Sequence, residues 1–452
     1  MPYRMTEVDL VHALIPHHRL KRADTFPLTP ALSALLKRCG STLRSISFGK
    51  SGLLIPFSAI NKIDAWCPLL EHLDLSFCTV TDQIASALMD LAERLHSLDL
   101  GNTTFSIRSP SQHVDNMSIL FANMRSLTCI NLQRTNAHNL MAVSHLPESI
   151  RSLNLNACSP LLPTTLFELL VKCYDLEELR LSAYTRMNYA IIEAICTLSS
   201  LKVLDISRQS GEFANSAEHD AGDWSKLQQV TTLQELYVQY NDNITDSVLD
   251  SITRHCTALR ILNVSYSRGV SSFSSWLGRL KCLTAFYVAA HGAFTDVDVC
   301  IMAEQNGQSL RSFHAPGCPQ LTGESITALA TFCHSLVDIN VGQCEAIGDD
   351  EVELLFNSCK QLELVDLRST SITDGVFENV HLFSDSTTVM KRLKSLDISY
   401  CRGITDFGMK ALCDFLAMAG SRKELVTVFV HQTRVTRSVF EQINCTSAQV
   451  QF

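Results

Sequence analysis

From Cys67 the chain reads CPLLEHLDLSFCTVTDQIASALMDL, and the same order of residue types returns from Cys333 and again from Cys359. The shared pattern is C-x2-L-x2-L-x-L-x2-C-x-I-T-D, with one residue of slack. Its second cysteine serves as a register mark. That mark falls at Ser51, Cys78, Thr103, Thr135, Cys158, Tyr184, Gln209, Asn241, Ser267, His291, Cys318, Cys344, Thr370, Cys401 and Thr433. The marks define fifteen units spaced by 23 to 32 residues, mostly by 24 to 27. A unit this short cannot bury an apolar face alone, so a fixed period in this range means a solenoid of stacked units.

Within one unit, Leu73 and Leu75 alternate with the two-residue period of a strand with one buried face. Ile244, Val248, Ile252 and Cys256 follow helical spacing and share a helix face. Thr245 or Asp246 is expected to cap that helix, where the acid also suits the positive end of the dipole. Strand, turn, helix and return together predict an α/β fold. Parallel strands line the concave face of a curved horseshoe and helices its convex face, over about fifteen repeats. The boundaries read from the pattern are an N-terminal cap with a helical half-repeat at 1–38, the array at 39–445, and a tail or edge cap at 446–452.

The seventeen cysteines fall mainly into two places in the repeat. Cys39, Cys67, Cys173, Cys256, Cys333 and Cys359 end a helix just before a strand, whereas Cys78, Cys158, Cys318, Cys344 and Cys401 occupy the register mark. There a small, weakly hydrogen-bonding side chain fits under the turn, and Thr, Ser or Asn replaces it elsewhere. No C-x-x-C occurs, and His255-Cys256 and Cys333-His334 are neighbours on helix ends rather than ligand sets. The cysteines therefore read as core, with no metal and no cofactor.

The pattern around Cys67–Asp82, Leu233–Asp246, Cys333–Asp349, Cys359–Asp374 and Leu393–Asp406 resembles the cysteine-containing class of leucine-rich repeats. That class is known from F-box leucine-rich-repeat proteins and a related yeast mitotic-exit antagonist. The resemblance covers residues 39–445. It implies an adaptor that selects substrates for an SCF-type, cullin-based ubiquitin ligase, with the ligase's linker and cullin components as partners. It does not extend to the F-box itself: FPLTPALSALLKRC, ahead of the first repeat, reads as the helical half of another repeat.

Lys and Arg number 37 against 46 Asp and Glu, a formal net charge of −9. No basic excess exists to neutralise phosphates, which argues against a nucleic-acid partner. The N-terminus carries Glu7 and Asp9 and no sustained apolar core, so it reads neither as a signal nor as a transit peptide. No apolar run approaches the roughly 18 residues of a membrane span. The expected location is the cytoplasm, with nucleus or cytoskeleton as alternatives. FGKSG at 48–52 lacks the first glycine of a phosphate-binding loop, since that position is Arg44. The fifteen histidines are scattered without a defensible catalytic set. The chain is expected not to be an enzyme.

A solenoid's concave face is its usual binding surface. The central outward strand position is mostly Asp or Asn, from Asp74 and Asp99 to Asp366 and Asp397, which suits the neighbouring backbone. Arg180, Tyr237, Tyr287 and His314 break the habit. Tyr240 and Tyr266 lie just past strand ends in the same region, and Glu235 shares a strand with Tyr237. Tyr and Arg concentrate at the energetic centres of interfaces, where each grouped tyrosine contributes on the order of 2 kcal/mol. These seven residues are the expected protein-binding site. Two stretches at 107–116 and 207–224 read as loop insertions, the second placed beside the unit of Tyr237. The expected function is non-catalytic protein recognition through the concave face, the alternative a structural scaffold in a cytoskeletal, ciliary or other stable assembly.

Overall fold

All but the last strands of the main ladder have three residues, long enough to turn one large side chain inward between two outward neighbours. Leu98, Leu153, Leu236 and Leu262 are such inward residues, all buried. In the computed structural model of the protein the described residues are 7–9, 34, 36–49, 54–55, 60–81, 83–107, 109–209, 224–378, 392–418, 426–437, 439 and 448–451. The chain forms two compact units, Met1–Thr232 and Leu233–Phe452.

In the first unit the strands Glu7–Asp9, Ser45–Ser47, His72–Asp74, Ser97–Asp99, Cys129–Asn131, Ser152–Asn154, Glu178–Arg180 and Val203–Asp205 pair in chain order, all parallel. Leu54–Ile55, Thr79–Thr81 and Thr104–Ser106 form a separate parallel sheet, so three early repeats extend after the register mark where later ones start a helix. In the second unit Glu235–Tyr237, Ile261–Asn263, Ala285–Tyr287, Ser312–His314, Asp338–Asn340, Leu364–Asp366, Ser395–Asp397, Val426–Phe429 and Ala448–Gln451 pair the same way. Every pairing is in register. Tyr237, Asn263, Tyr287, His314, Asn340, Asp366, Asp397 and Phe429 therefore form one outward row.

The register marks are the joints of the stack. The residue before each described mark is left-handed: thirteen non-glycine residues from Phe77 to Gln432, and Gly317, have positive φ. A left-handed L-residue costs about 1–2 kcal/mol. Here the bend keeps its N–H in the ladder, as when Tyr240 donates to Ser265 and Tyr266 to Ala289. It also turns the next side chain under the strand, where in most repeats that side chain donates to a backbone oxygen of the preceding repeat, although Thr370 and Thr433 donate within their own, to Leu367 O and Val430 O. Cys158 Sγ reaches Leu132 O at 3.1 Å, Cys318 Sγ reaches Val288 O at 3.1 Å and Cys401 Sγ reaches Leu367 O at 3.1 Å. Thr103, Gln209, Ser267 and His291 supply the same rung, at 2.8, 2.9, 2.8 and 2.7 Å. What the position requires is a donor that fits, and sulfur is one solution.

A second set of rungs corrects the capping expectation. Thr245 is the N-cap of Asp246–His255 but makes no side-chain cap bond. The Asp246 carboxylate instead accepts the N–H and O–H of Ser271 in the next repeat, both at 3.0 Å. Asp296 takes the same pair from Thr322, Asp374 from Thr405 and Asp406 from Thr436. The acid at the helix start thus favours the helix dipole and staples one repeat to the following one.

The stretch 107–116 is not a loop insertion. Pro110–Asn123 is a helix with proline in its first turn, and His113, Met117, Leu120 and Phe121 bury one face of it. His113 sits at a core position because Nε2 meets Asn139 Oδ1 at 2.7 Å, so a polar residue hid the apolar stripe. At 207–224, residues 210–223 lie outside the described residues. Ser207, Arg208 and Gln209 form an ordinary register turn, and Trp224 is buried at the start of a short 3-10 helix, Trp224–Gln229. Of the two ends, Glu7–Asp9 adds a strand beside Ser45–Ser47, while Ala448–Gln451 sets Val450 opposite Val428.

Two substitutions separate core from face. Leu262→Ala, at a fully buried inward position, lowers unfolding free energy by about 2–5 kcal/mol in urea titration. Tyr237→Ala, on the outward row, changes it by less than about 1 kcal/mol. A neutral Leu262→Ala would contradict the register.

Candidate protein-binding site

The Asp and Asn residues of the outward row have a backbone task. Asp74, Asp99, Asn131 and Asn154 in the first unit each accept, through Oδ1, the N–H two residues ahead, at 2.8 to 3.0 Å. Asn263, Asn340, Asp366 and Asp397 do the same in the second unit, at 2.9 to 3.2 Å. The side chain mimics a turn carbonyl and satisfies an N–H that the three-residue strand leaves over. The acidic character of the row is thus largely structural.

Where the row departs from Asp and Asn, that N–H is handled differently. Beyond Arg180, Ser182 N donates to Asn156 Oδ1 of the preceding repeat at 2.7 Å. Beyond Tyr287, Ala289 N donates to Ser265 Oγ at 3.0 Å, and beyond Phe429, His431 N donates to Ser399 Oγ at 3.2 Å. Beyond His314 the residue is Pro316, which has no N–H. These substitutions at the preceding repeat release the outward side chain from backbone duty.

Six of the seven expected site residues lie in the second unit and line its strand face. The Tyr237 hydroxyl donates to Glu235 Oε2 at 2.9 Å. Tyr287 and His314 meet edge to face, with ring centroids 4.9 Å apart. His314 Nε2 lies 2.9 Å from Asp338 Oδ2 without the alignment that completes a hydrogen bond. Tyr240 and Tyr266 stack at 4.4 Å with rings 3° from parallel. Both are left-handed residues whose side chains project off the face, 39% and 42% exposed. Burial in this stack, with the Tyr240 phenol beside it, pushes the Tyr266 phenol up. Arg180 belongs to the first unit, where Nε pairs with Glu178 at 2.5 Å.

Three second-unit residues of this surface escaped sequence reasoning. Asp338 stands beside His314, and Arg368 pairs with Asp366 at 2.8 Å. Tyr400, 55% exposed, is a further left-handed aromatic, as Phe77 is in the first unit. The available signal was position: a residue just before a register mark must point outward, and an aromatic there is exposed by construction of the turn.

The family model described as Leucine Rich repeat matches residues 67–89 and 391–413. Each matched segment starts at or just before a helix end and runs through strand, left-handed turn and next helix. The chain is a leucine-rich-repeat solenoid. Its fold is similar to that of Rad7, solved in complex with Elc1 in yeast, with a TM-score of 0.55, 15% sequence identity, and coverage of 93% of this chain and 92% of that one. The functional domain of InlJ from Listeria monocytogenes, described as including a cysteine ladder, aligns with a TM-score of 0.42 and 16% identity over 87% of this chain and 75% of its own. A search of curated proteins finds no sequence match.

The strongly perturbed thiols among the described residues sit at the solenoid's rungs and helix ends. Burial pushes the thiols of Cys158 and Cys173 up to about 11 and those of Cys318, Cys333 and Cys359 up to about 12. A protonated, enclosed thiol is a poor nucleophile. Burial holds the His291 imidazole below its ordinary 6.5, while Nε2–H donates to Val264 O and the ring meets Phe273 edge to face at 5.2 Å. No helix among the described residues is long and apolar enough to cross a membrane.

Two measurements follow from these shifts. Iodoacetamide on the native protein should label exposed Cys282 and spare Cys318, Cys333 and Cys359 until denaturant opens the stack. Because the folded pKa of His291 is depressed, its neutral form is favoured by folding. Its contribution is complete above the unfolded value near 6.5 and is lost as pH falls below it. Urea midpoints for His291→Cys, which keeps a donor, should therefore decline less than wild type between pH 7 and 5.

Proposed function

We propose that the protein is a non-catalytic interaction protein and that the strand face of its second unit recognises a protein partner. The carrying observation is the release of Tyr287 and His314 from the backbone duty that Asp and Asn perform elsewhere in the row. Together with Tyr237, Glu235 and the stacked Tyr240–Tyr266 pair they offer rigid aromatic surface on strands fixed by two sets of rungs. Tyrosines in such a setting order few rotatable bonds on binding and concentrate binding energy. Arg180 stands in the equivalent row of the first unit and is proposed as a contact of the same kind.

The role we assign by resemblance is substrate recognition for an SCF-type ubiquitin ligase in the cytoplasm. What supports it is the cysteine-containing repeat pattern; the complex with Elc1 is a property of Rad7. The alternative, a scaffold in a stable cytoskeletal or ciliary assembly, uses the same face but requires stoichiometric retention through high salt.

The test is affinity purification from native lysate with wild type and with a Tyr237→Ala, Tyr287→Ala, His314→Ala variant shown to be folded by its urea midpoint. Specific partners should be lost from the variant. Ligase linker and cullin among the wild-type partners support the adaptor role, and their repeated absence from clean preparations overturns it. Partners retained equally by both proteins would remove the face as the site.

A further inference from the structure

The outward positions of the second unit carry a one-sided charge. From Glu235–Tyr237 to Val426–Phe429, the strand positions and those two residues beyond hold the carboxylates Glu235, Asp338, Asp366 and Asp397 against a single Arg368. Arg368 is engaged by Asp366 at 2.8 Å. The exposed cations Arg260, Arg311 and Lys394 stand off this face, one position before their strands. Burial pushes the Asp366 carboxyl up, against its hydrogen bond from the Arg368 backbone and the opposing charge of Arg368.

The relief of the face is as uneven as its charge. Tyr240 and Tyr266 project as a stacked pair, and at the corresponding turn positions the next two repeats carry only Ala289 and Ala290, then Pro316 and Gly317. Gly317 is left-handed, at φ 69°, and the Gln343 side chain reaches over it, its Oε1 3.4 Å from where a Cβ would stand. In the repeat after that, Arg368 lies across Gly342, where a Cβ would come within 2.9 Å of its Cγ. A shallow recess over Ala289 and Ala290 is therefore bounded by the Tyr266 ring on one side and by the Gln343 and Arg368 side chains on the other.

We propose that this face binds a short extended segment of a partner protein bearing Lys or Arg residues. Its cations lie over Glu235, Asp338 and Asp397, and one of its side chains enters the recess beside Tyr266. Seven strands from Glu235 to Asp397 span roughly 29 Å, which an extended chain crosses with about nine residues. Opposite charge selects such a segment and speeds its encounter, while the faces of Tyr237 and Tyr266 accept cations directly. The inference rests on the reading of this face as the binding surface and adds the chemistry of its partner.

The test uses the full chain and three fluorescein-labelled twelve-residue peptides, identical except that four positions are Lys, Gln or Glu. Fluorescence anisotropy should show the Lys peptide binding at least about tenfold more tightly than the Gln peptide, with affinity falling as salt rises from 50 to 500 mM. Asp338→Asn with Asp397→Asn removes two of these charges, and at 397 keeps the Oδ1 acceptor that Asn263 and Asn340 provide at the same place. Its urea midpoint should match wild type while Lys-peptide affinity falls about tenfold. Equal binding of the three peptides, preference for the Glu peptide, or an unchanged affinity in the double Asn variant overturns the proposal. If no peptide binds while the triple alanine variant still loses its lysate partners, the face remains the site and the basic-segment inference fails. If the Lys peptide binds that triple variant as well as wild type, the inference fails together with the assignment of the face.

Discussion

The stacking of this solenoid is fastened mainly by one recurrent hydrogen bond, from the register side chain to a backbone oxygen of the preceding repeat. Three-residue strands alone would give a ladder with little to resist slippage along the stack. The left-handed residue ahead of each mark bends the chain so that Cys158, Ser267 or His291 turns inward, beneath the strand, while its own N–H continues the ladder. The rung then ties most turns to the repeat before, and the Asp-to-Ser/Thr pairs tie the helix starts at Asp246, Asp296, Asp374 and Asp406 to the repeat after. Both are local bonds between neighbours, which is why substitution by any fitting donor is tolerated.

That redundancy explains how a repetitive scaffold can carry a specific surface. The N–H past each strand needs an acceptor, and Asp or Asn in the outward row is the default. Moving the acceptor to Ser265 or Ser399 of the preceding repeat, or deleting the donor with Pro316, frees the row for Tyr287, Phe429 and His314. The departure from pattern is compensated in the backbone, so an aromatic face is available without loss of the ladder. The stacked pair of Tyr240 and Tyr266 adds to it from the turn itself, at positions that the left-handed bend forces outward.

The cysteines illustrate the same logic in chemical terms. Enclosed under a turn, a thiol is small enough to fit and polar enough to donate weakly, and burial keeps it protonated. Reactivity and rung are mutually exclusive at this position, because the bond that places the sulfur also closes it off from solvent. The one buried imidazole in the series, His291, makes the same rung through Nε2–H and carries its pH dependence on the acid side, where the raised thiols carry theirs on the alkaline side.

Period and residue type sufficed to read the register, the inward Leu and Val residues, the two cysteine places and the outward row, because each repeat contacts only its neighbours and local pattern equals local structure. The reading failed where a polar residue was buried by a long-range partner, as His113 is by Asn139, and where a side chain served the next repeat instead of its own helix, as Asp246 does with Ser271. Nor could the sequence show that Asp338 lies against His314, that Tyr240 and Tyr266 stack, or that Arg368 folds over Gly342. Those contacts join residues about 26 positions apart, and only the stacking of repeats decides which side chains, already known to face outward, come within reach of one another.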